Sequence, residues 1–459
     1  MRPLTLDDVL GAVNGKAVVR RPDARDTVFT GVSTDSRTVK AGDLFFALAG
    51  DKYDAHDFIG GVSGVAAGAV VSRITDCAKE GFIQILVDDT LKALQSLAAY
   101  VRRIRPIPVI AVTGTNGKTT TKEMTAAVLS KKYSVLKTEG NLNNHIGLPL
   151  TLLRLDDEDA AVLEMGASKQ GDIAELCGIA APDIAIVTNI GPGHLEGFIS
   201  MEGVRAAKLE IMDYAMTVIV NADDEFLMEG VLEKNKQLKR EIITFGIEKA
   251  AAFTGRITDD AALPLNASIR LPSGVEMDIT IKSGGMHNVY NALCAAATGF
   301  LMGVDPDGIA RALSGFGGVA MRLEFREVNG STVICDFYNA NPSSMANAVK
   351  ELIRQKKGRR VAVLGDMLEL GAYAEQYHRE LGRWMAAQPV DVFIAVGSLM
   401  KITYDEFNES RQASGHAKNG SALHTADAVA AGQILKQLMS RDTVLIKGSR
   451  GLKMERVLG

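Results

Sequence analysis

What this sequence lacks narrows it before any motif is read. It has no paired cysteines: Cys77, Cys177, Cys294 and Cys335 lie far apart and form no C-x-x-C. Reduced, structural thiols of a cytosolic protein are the expectation. No apolar run approaches the ~18 residues needed to cross a bilayer, and the candidate at 61–71 is broken by Gly and Ser. The opening Met1-Arg2-Pro3-Leu4-Thr5-Leu6-Asp7-Asp8 has no apolar core of a secretory signal. A cytoplasmic location without stable membrane association is therefore expected. Charge of one sign is also missing, since 51 basic residues face 55 acidic ones for a net charge of -4. That balance excludes wholesale attraction to nucleic acid or to an anionic membrane. Any anionic ligand must be held by local basic groups and backbone amides. Internal repeats and low-complexity tracts are absent as well.

What is present is an ordinary globular composition, 47% hydrophobic and 23% charged, over 459 residues. That length suggests about three domains. The first stretch mixes short apolar runs such as 44–48 with a polar loop at 33–43. Residues 102–108, R-R-I-R-P-I-P, read as a linker, because prolines disfavour helix in the residues before them. Val109-Ile110-Ala111-Val112 then starts a region of buried, parallel-type strands, with further candidates at 160–163, 184–188, 217–220 and 242–245. Helical stretches at 119–129, 172–179 and 204–212 alternate with them. From about Gly317 the alternation resumes, with strands at 361–364, 392–396 and 444–446 and helices at 345–356 and 374–387. Strands alternating with helices imply parallel sheets covered on both faces.

The segment Thr113-Gly114-Thr115-Asn116-Gly117-Lys118-Thr119-Thr120 follows the first of these strands and opens a helix. Glycines let a backbone curl so that its amides face a polyphosphate, and the helix N-terminus adds partial positive charge. Lys118 can reach the terminal phosphates and the Thr119 hydroxyl can ligate Mg²⁺. The strict pattern G-x-x-x-x-G-K-[ST] departs at one place, where Val112 stands and Gly114 is found instead. A glycine-rich turn with an exposed lysine is the plain alternative. The apolar strand before it and the helix after it favour the phosphate loop.

This loop resembles that of the Mur ligases and folylpolyglutamate synthases, ATP-dependent amide-forming enzymes of three domains. Downstream stretches keep the family order: E-G-N-L-N-N-H-I-G-L-P from Glu139, E-M-G-A-S from Glu164, T-N-I-G-P-G-H-L from Thr188 and G-V-R-A-A-K-L-E-I from Gly203. G-M-H-N-V-Y-N from Gly285, Met321-Arg322, D-F-Y-N-A-N-P from Asp336, L-G-D-M-L-E-L-G from Leu364 and K-G-S-R from Lys447 complete them. The D-F-Y-N-A-N-P and L-G-D-M-L-E-L-G stretches look like the member that acts last in peptidoglycan-precursor synthesis. That member joins D-alanyl-D-alanine to a UDP-N-acetylmuramoyl-tripeptide. The resemblance implies three parts: a small α/β N-terminal substrate domain (1–102), a central P-loop ATPase-like parallel-sheet domain (103–316) and a C-terminal Rossmann-like α/β domain binding the incoming dipeptide (317–459). A monomer is expected.

The resemblance also implies site residues. ATP would meet residues 114–120, with Asn288 on the adenine, Arg322 on the phosphates and Asp336 on the ribose. Mg²⁺ would be held by Thr119, Glu164 and His194, and a second ion by Lys208 if it is carbamylated. Lys118, Lys208 and His194 form the catalytic set. Ser33, Asp35, Ser36 and Arg37 would meet the uridine diphosphate end and Asn143 and Asn144 the muramoyl peptide. Asn339, Lys447, Ser449 and Arg450 would hold the dipeptide. Plain alternatives stand beside these: a solvated Lys208, a helix-capping Asn288, a loop histidine at 194 and a helix-capping Asp336. Rival functions are another amide ligase of the family, a protein using ATP as a switch, or a small-metabolite kinase.

Overall fold

The computed structural model describes residues 1–18, 26–50, 52–259, 263–355, 357–413 and 420–459. Among them the strands form three sizeable sheets and a two-stranded ribbon that pairs Leu4–Thr5 with Val28–Phe29.

The first sheet has the order Lys16–Val18, Ile83–Leu86, Gly68–Val71, Asp43–Phe46, Gly31–Ser33, with only the first pair antiparallel. The helix Thr90–Ile104 follows, capped by Asp89, whose carboxylate accepts from Leu91 N and Lys92 N. The linker expected at 102–108 is shortened to 105–108, since the helix runs through Arg102, Arg103 and Ile104, and Arg105, directly before Pro106, leaves helical geometry (φ -122°, ψ 84°). Arg102 is fixed by bonds to the carbonyls of Ala180 and Ala181, which ties the helix to the central region.

The central sheet has nine strands in the order Glu276–Ile281, Leu265–Arg270, Phe253–Asp259, Glu241–Gly246, Thr217–Asn221, Ile184–Val187, Val109–Thr113, Ala160–Glu164, Val135–Lys137. Its last seven strands are parallel, and the central four, Thr217–Asn221, Ile184–Val187, Val109–Thr113 and Ala160–Glu164, are almost wholly buried, as their apolar runs require. The first three form an antiparallel extension. From Val109–Thr113 the chain builds outward to one side and then to the other, so the crevice beyond this strand is a topological switch point. The helix expected at 204–212 lies earlier, at Met201–Leu209, because Ser200 caps it, and it ends in a tighter turn at Glu210–Asp213.

The third sheet has the order Glu324–Val328, Ser331–Asp336, Thr443–Lys447, Arg360–Gly365, Val392–Val396, Ser421–Thr425, parallel except for its first pair. Its final strand in the chain, Thr443–Lys447, is inserted in the middle. The helix Pro342–Arg354 starts earlier than expected because Asn341 and Ser344 make a capping box with proline in the first turn. The expected end of that helix, Lys356, lies outside the described residues.

One apolar core joins the first sheet and its helices to one face of the central sheet, and a second fills the opposite face beneath Met286–Leu301. A third core crosses between regions: Leu195, Phe198, Val204 and Ala207 pack with Met345, Leu364, Met367 and Leu370. Burying a side chain such as Leu195 or Phe198 contributes ~1.5–3 kcal/mol, so this contact holds the two sheets together over the site. Among the described residues no helix is long and apolar enough to cross a membrane.

Candidate active site

The carboxyl ends of the central and third sheets face each other across a cleft of about 1140 Å³. That exceeds the ~300–1,000 Å³ typical of a pocket for one small ligand, so there is room for more than one.

On the central side, Gly114 turns the chain out of its strand at φ +139°, where a Cβ would lie 2.0 Å from Thr188 Oγ1. The glycine displaced from position 112 is therefore needed where it stands, and Val112 is free to be buried in the sheet. Gly117 (φ +81°) leads into the helix Lys118–Leu129, whose N-terminus has no side-chain cap. Its first amides are left for an anion. The loop is braced from the neighbouring strand end: Thr188 Oγ1 donates to Asn116 O at 2.6 Å and Asn116 N donates to Asn189 Oδ1 at 3.0 Å. Residues 115–120 line the cleft. Lys118 Nζ lies 2.9 Å from Gly114 O and 3.1 Å from Thr115 O, and burial pushes its pKa below the usual lysine range.

Glu164 ends its strand almost fully buried. Its Oε1 accepts from Asn143 Nδ2 at 2.8 Å, while Oε2 is buried with no partner. A carboxylate oxygen in that state implies a ligand. Mg²⁺ fits it: one buried carboxylate and the Thr119 hydroxyl, which lines the same cleft, supply oxygen donors, and the ion would take the rest from phosphates and water. Among the described residues no cluster of three acidic, histidine or cysteine side chains would hold a metal without such a ligand.

His194 lies half-buried at the cleft with φ +54° and its Nδ1 2.7 Å from Glu369 Oε2. Lys208 is 2% exposed, so the solvated alternative is corrected. Its Nζ sits 3.4 Å from Ala167 O and 5.2 Å from the centre of the Phe198 ring. Burial, assisted by the charge of Lys118, pushes its pKa down to about 7. Lys208 lies just behind the cleft wall, which Ala167 forms.

The third region meets the loop directly. Arg322 donates to Thr119 Oγ1 at 2.8 Å, with its guanidinium 4.1 Å from the Tyr338 ring centre. Asn116 Nδ2 donates to Ser343 Oγ at 2.9 Å, and Asn341 Nδ2 donates to Asn116 Oδ1 at 2.8 Å. Asn288 lines the cleft without capping its helix: Gly285 holds the cap position, and Asn288 Nδ2 donates to Gly284 O at 2.6 Å. Its Oδ1 accepts from Asn291, which in turn accepts from Thr121 in the loop's helix. Asp336 lines the cleft too, and its capping alternative is corrected, since Asn341 caps the next helix and Asp336 Oδ2 lies 2.7 Å from Lys447 Nζ.

Of the residues expected to hold a substrate, Asn143, Asn144, Asn339 and Lys447 line the cleft. Ser449 and Arg450 do not. Ser449 is 3% exposed and its Oγ accepts from Leu368 N, while Arg450 points outward to Glu455 at 3.1 Å. Ser33, Asp35, Ser36 and Arg37 lie elsewhere, in the first region. Ser33 faces a smaller pocket of about 330 Å³ with Thr38, Lys40 and Arg154, and Asp35 is paired with Arg37 at 2.6 Å. Sequence reasoning did not single out Asn116 with Asn341 and Ser343 as a bridge, nor Glu369. The capping pattern N-P-S-S marks Asn341 as a helix start, but nothing local reveals its partner across the cleft.

A parallel-sheet P-loop region carrying a strand-end glutamate and facing a second parallel sheet is the layout of a three-domain ATP-dependent ligase. Comparison agrees: the chain matches the models of the Mur ligase family catalytic domain over 28–102, the Mur ligase middle domain over 112–299 and the Mur ligase glutamate ligase domain over 321–450. It belongs to the Mur ligase family. Within that family it is 37% identical to the UDP-N-acetylmuramoyl-tripeptide–D-alanyl-D-alanine ligase of Escherichia coli (strain K12), over 100% of this chain and 98% of that one. The enzyme of the same name from Bacillus subtilis (strain 168) is 36% identical over 96% and 95%. A crystal structure of MurF from Acinetobacter baumannii superposes with a TM-score of 0.89 at 33% identity, covering 100% of this chain and 98% of the other. MurF from Thermotoga maritima in complex with ADP gives 0.80 at 28% identity, covering 93% and 96%.

Proposed function

We propose that this protein is an ATP-dependent, ADP-forming ligase that joins D-alanyl-D-alanine to UDP-N-acetylmuramoyl-tripeptide during peptidoglycan-precursor synthesis in the cytoplasm. The observation that carries this reading is the cleft itself, in which an uncapped phosphate loop and an orphaned glutamate oxygen face a second strand-end cluster. The full-length likeness to ligases of that name selects the substrates.

ATP lies along residues 114–120, with its base towards Asn288 and its ribose towards Asp336. The helix N-terminus and Lys118 neutralise the phosphates as the terminal phosphoryl group passes to the tripeptide carboxylate. That carboxylate becomes an acyl phosphate, the dipeptide amine attacks it, and inorganic phosphate leaves as the amide forms. Arg322, beside Thr119, adds a second positive group at the phosphate end. Glu164 and Thr119, with His194, would hold Mg²⁺, which would offset phosphate charge during transfer.

Lys208 is prepared for carbamylation, because a pKa near 7 leaves much of its amine neutral and able to attack CO₂. The nitrogen–carbon bond forms as one C=O π bond of CO₂ opens and the nitrogen releases a proton to solvent, leaving an anionic, carboxylate-like group beside the cleft. Asn143 and Asn144 meet the muramoyl peptide, and Asn339 meets the dipeptide. The pocket at Ser33 takes the uridine diphosphate end.

Incubation with ATP, the tripeptide and D-alanyl-D-alanine, followed by mass measurement, tests the reading. The expected product is the tripeptide plus the dipeptide less one water, with one ADP and one phosphate formed. ATP hydrolysis without joining, or a phosphorylated product that persists, would sink it.

A further inference from the structure

The segment around Glu369, within L-G-D-M-L-E-L-G, has no role in the mechanism above. Its backbone is nonetheless docked tightly against the turn that carries His194. Glu369 O accepts from Glu196 N at 3.2 Å. Gly371 (φ +55°) approaches so closely that a Cβ there would lie 3.0 Å from Glu196 Cα. Met367 and Leu370 pack in the same apolar core as Leu195 and Phe198. Glu369 itself sits at φ +64°, a left-handed conformation uncommon for glutamate. The outcome of this placement is specific: Glu369 Oε2 lies 2.7 Å from His194 Nδ1. A carboxylate only accepts, so Nδ1 carries the hydrogen and, in the neutral ring, Nε2 keeps its lone pair.

We propose that Glu369 is a positioning residue, lent by the third region, which fixes the tautomer and orientation of His194. The histidine is then set only while the third region is docked on the central sheet. Docking of that region and readiness of the phosphate end of the cleft are one event. A ligating histidine that gives its other N–H to a carboxylate is held in one tautomer and orientation, and losing the carboxylate weakens metal binding ~10–100-fold. The inference rests on the reading of His194 as a group that faces the bound metal and phosphates.

The test uses the full chain and two variants of Glu369. Glu369→Gln keeps an accepting oxygen. Glu369→Gly removes the side chain while suiting the left-handed backbone. Long-range ¹H–¹⁵N spectra of the ligand-free protein, with the His194 ring assigned by comparison with His194→Ala, report the tautomer. Nδ1–H is expected in the parent and in Glu369→Gln, and loss of that preference in Glu369→Gly. Mn²⁺ affinity in the presence of ADP, read by electron paramagnetic resonance, should fall roughly 10-fold or more in Glu369→Gly and less in Glu369→Gln. A parent ring in the Nε2–H form, or an unchanged tautomer in Glu369→Gly, overturns the proposal. So does unchanged Mn²⁺ affinity in Glu369→Gly beside a clear loss in His194→Ala, which leaves the reading of His194 standing. Unchanged affinity in His194→Ala removes that reading and the proposal with it.

Discussion

The two walls of the cleft are built on opposite plans. On the central wall, polar groups are held loosely: Lys118 bonds only to carbonyls of its own loop, Glu164 Oε2 bonds to nothing, and the loop's helix has no side-chain cap. On the third-sheet wall, polar groups satisfy one another. Asp336 and Lys447 are register partners on adjacent strands and form an ion pair, and Asn341 closes a capping box. A wall that must neutralise a polyphosphate keeps its donors available, because each bond already made there would have to be broken on binding. A wall that must present a fixed frame spends its groups on itself.

Breaking the central wall should cost activity first. Lys118→Ala is expected to lower the ligation rate by roughly 10²–10⁴, as removal of a charge-stabilising donor does, with little change in thermal stability. Normal turnover in a folded variant would dissolve the contrast between the walls.

On the opposite wall the main loss should be stability. Lys447→Met leaves the Asp336 carboxylate in the cleft without its partner, and about 3 kcal/mol of destabilisation is expected. Adding Asp336→Asn should restore most of it. Denaturant titration of the single and double variants checks this, and equal losses in both would show that the pair contributes little.

Lys208 sharpens the comparison through pH. Its pKa is lowered from 10.5 to about 7 in the folded chain, so between those values the unfolded state binds the extra proton. Stability therefore rises with pH across that window, by up to ~1.4 kcal/mol per unit from this group. Lys208→Met should remove that part of the slope in CO₂-free buffer, and parallel stability curves for the two proteins would refute the buried neutral amine. The smallest effect is expected at Arg450. Its exposed pair with Glu455 is worth ~0.2–1 kcal/mol, and Arg450→Ala should raise the dipeptide KM less than Asn339→Ala does. The reverse order in steady-state kinetics would bring Arg450 back to the acceptor site.

The parallel strands were legible because burial on both faces demands continuous apolar runs. Val392–Val396 lies where its sequence indicated, and Val109–Thr113 began at the expected residue. The antiparallel extension from Phe253 to Ile281 was missed, since its strands alternate polar and apolar residues and carry no helix between them. The helix Thr90–Ile104 was not foreseen, and the linker was begun three residues too early because proline restricts chiefly the residue just before it. In the site, local geometry could be read: glycines, a lysine and a threonine in one loop. Partners could not. Asn116 and Ser343 are 227 residues apart in the chain, and Glu369 meets His194 only because the carboxyl ends of two separate sheets are apposed. Ser449 and Arg450 show the limit from the other side, since adjacency to Lys447 in sequence did not place them on the cleft.

The insertion of Thr443–Lys447 between Ser331–Asp336 and Arg360–Gly365 also sets an order of assembly during synthesis. Chains emerge from the ribosome amino end first, and finished domains fold as they appear. The first two sheets have all their strands long before Thr443 is made. The third cannot close, because its middle position stays vacant until that strand arrives, and the long-range pairing it needs is intrinsically slow. A nascent chain stalled before that point would hold a folded phosphate loop with no opposing wall. Pulse proteolysis of stalled chains should therefore find the central region protected while residues beyond 320 are still cut.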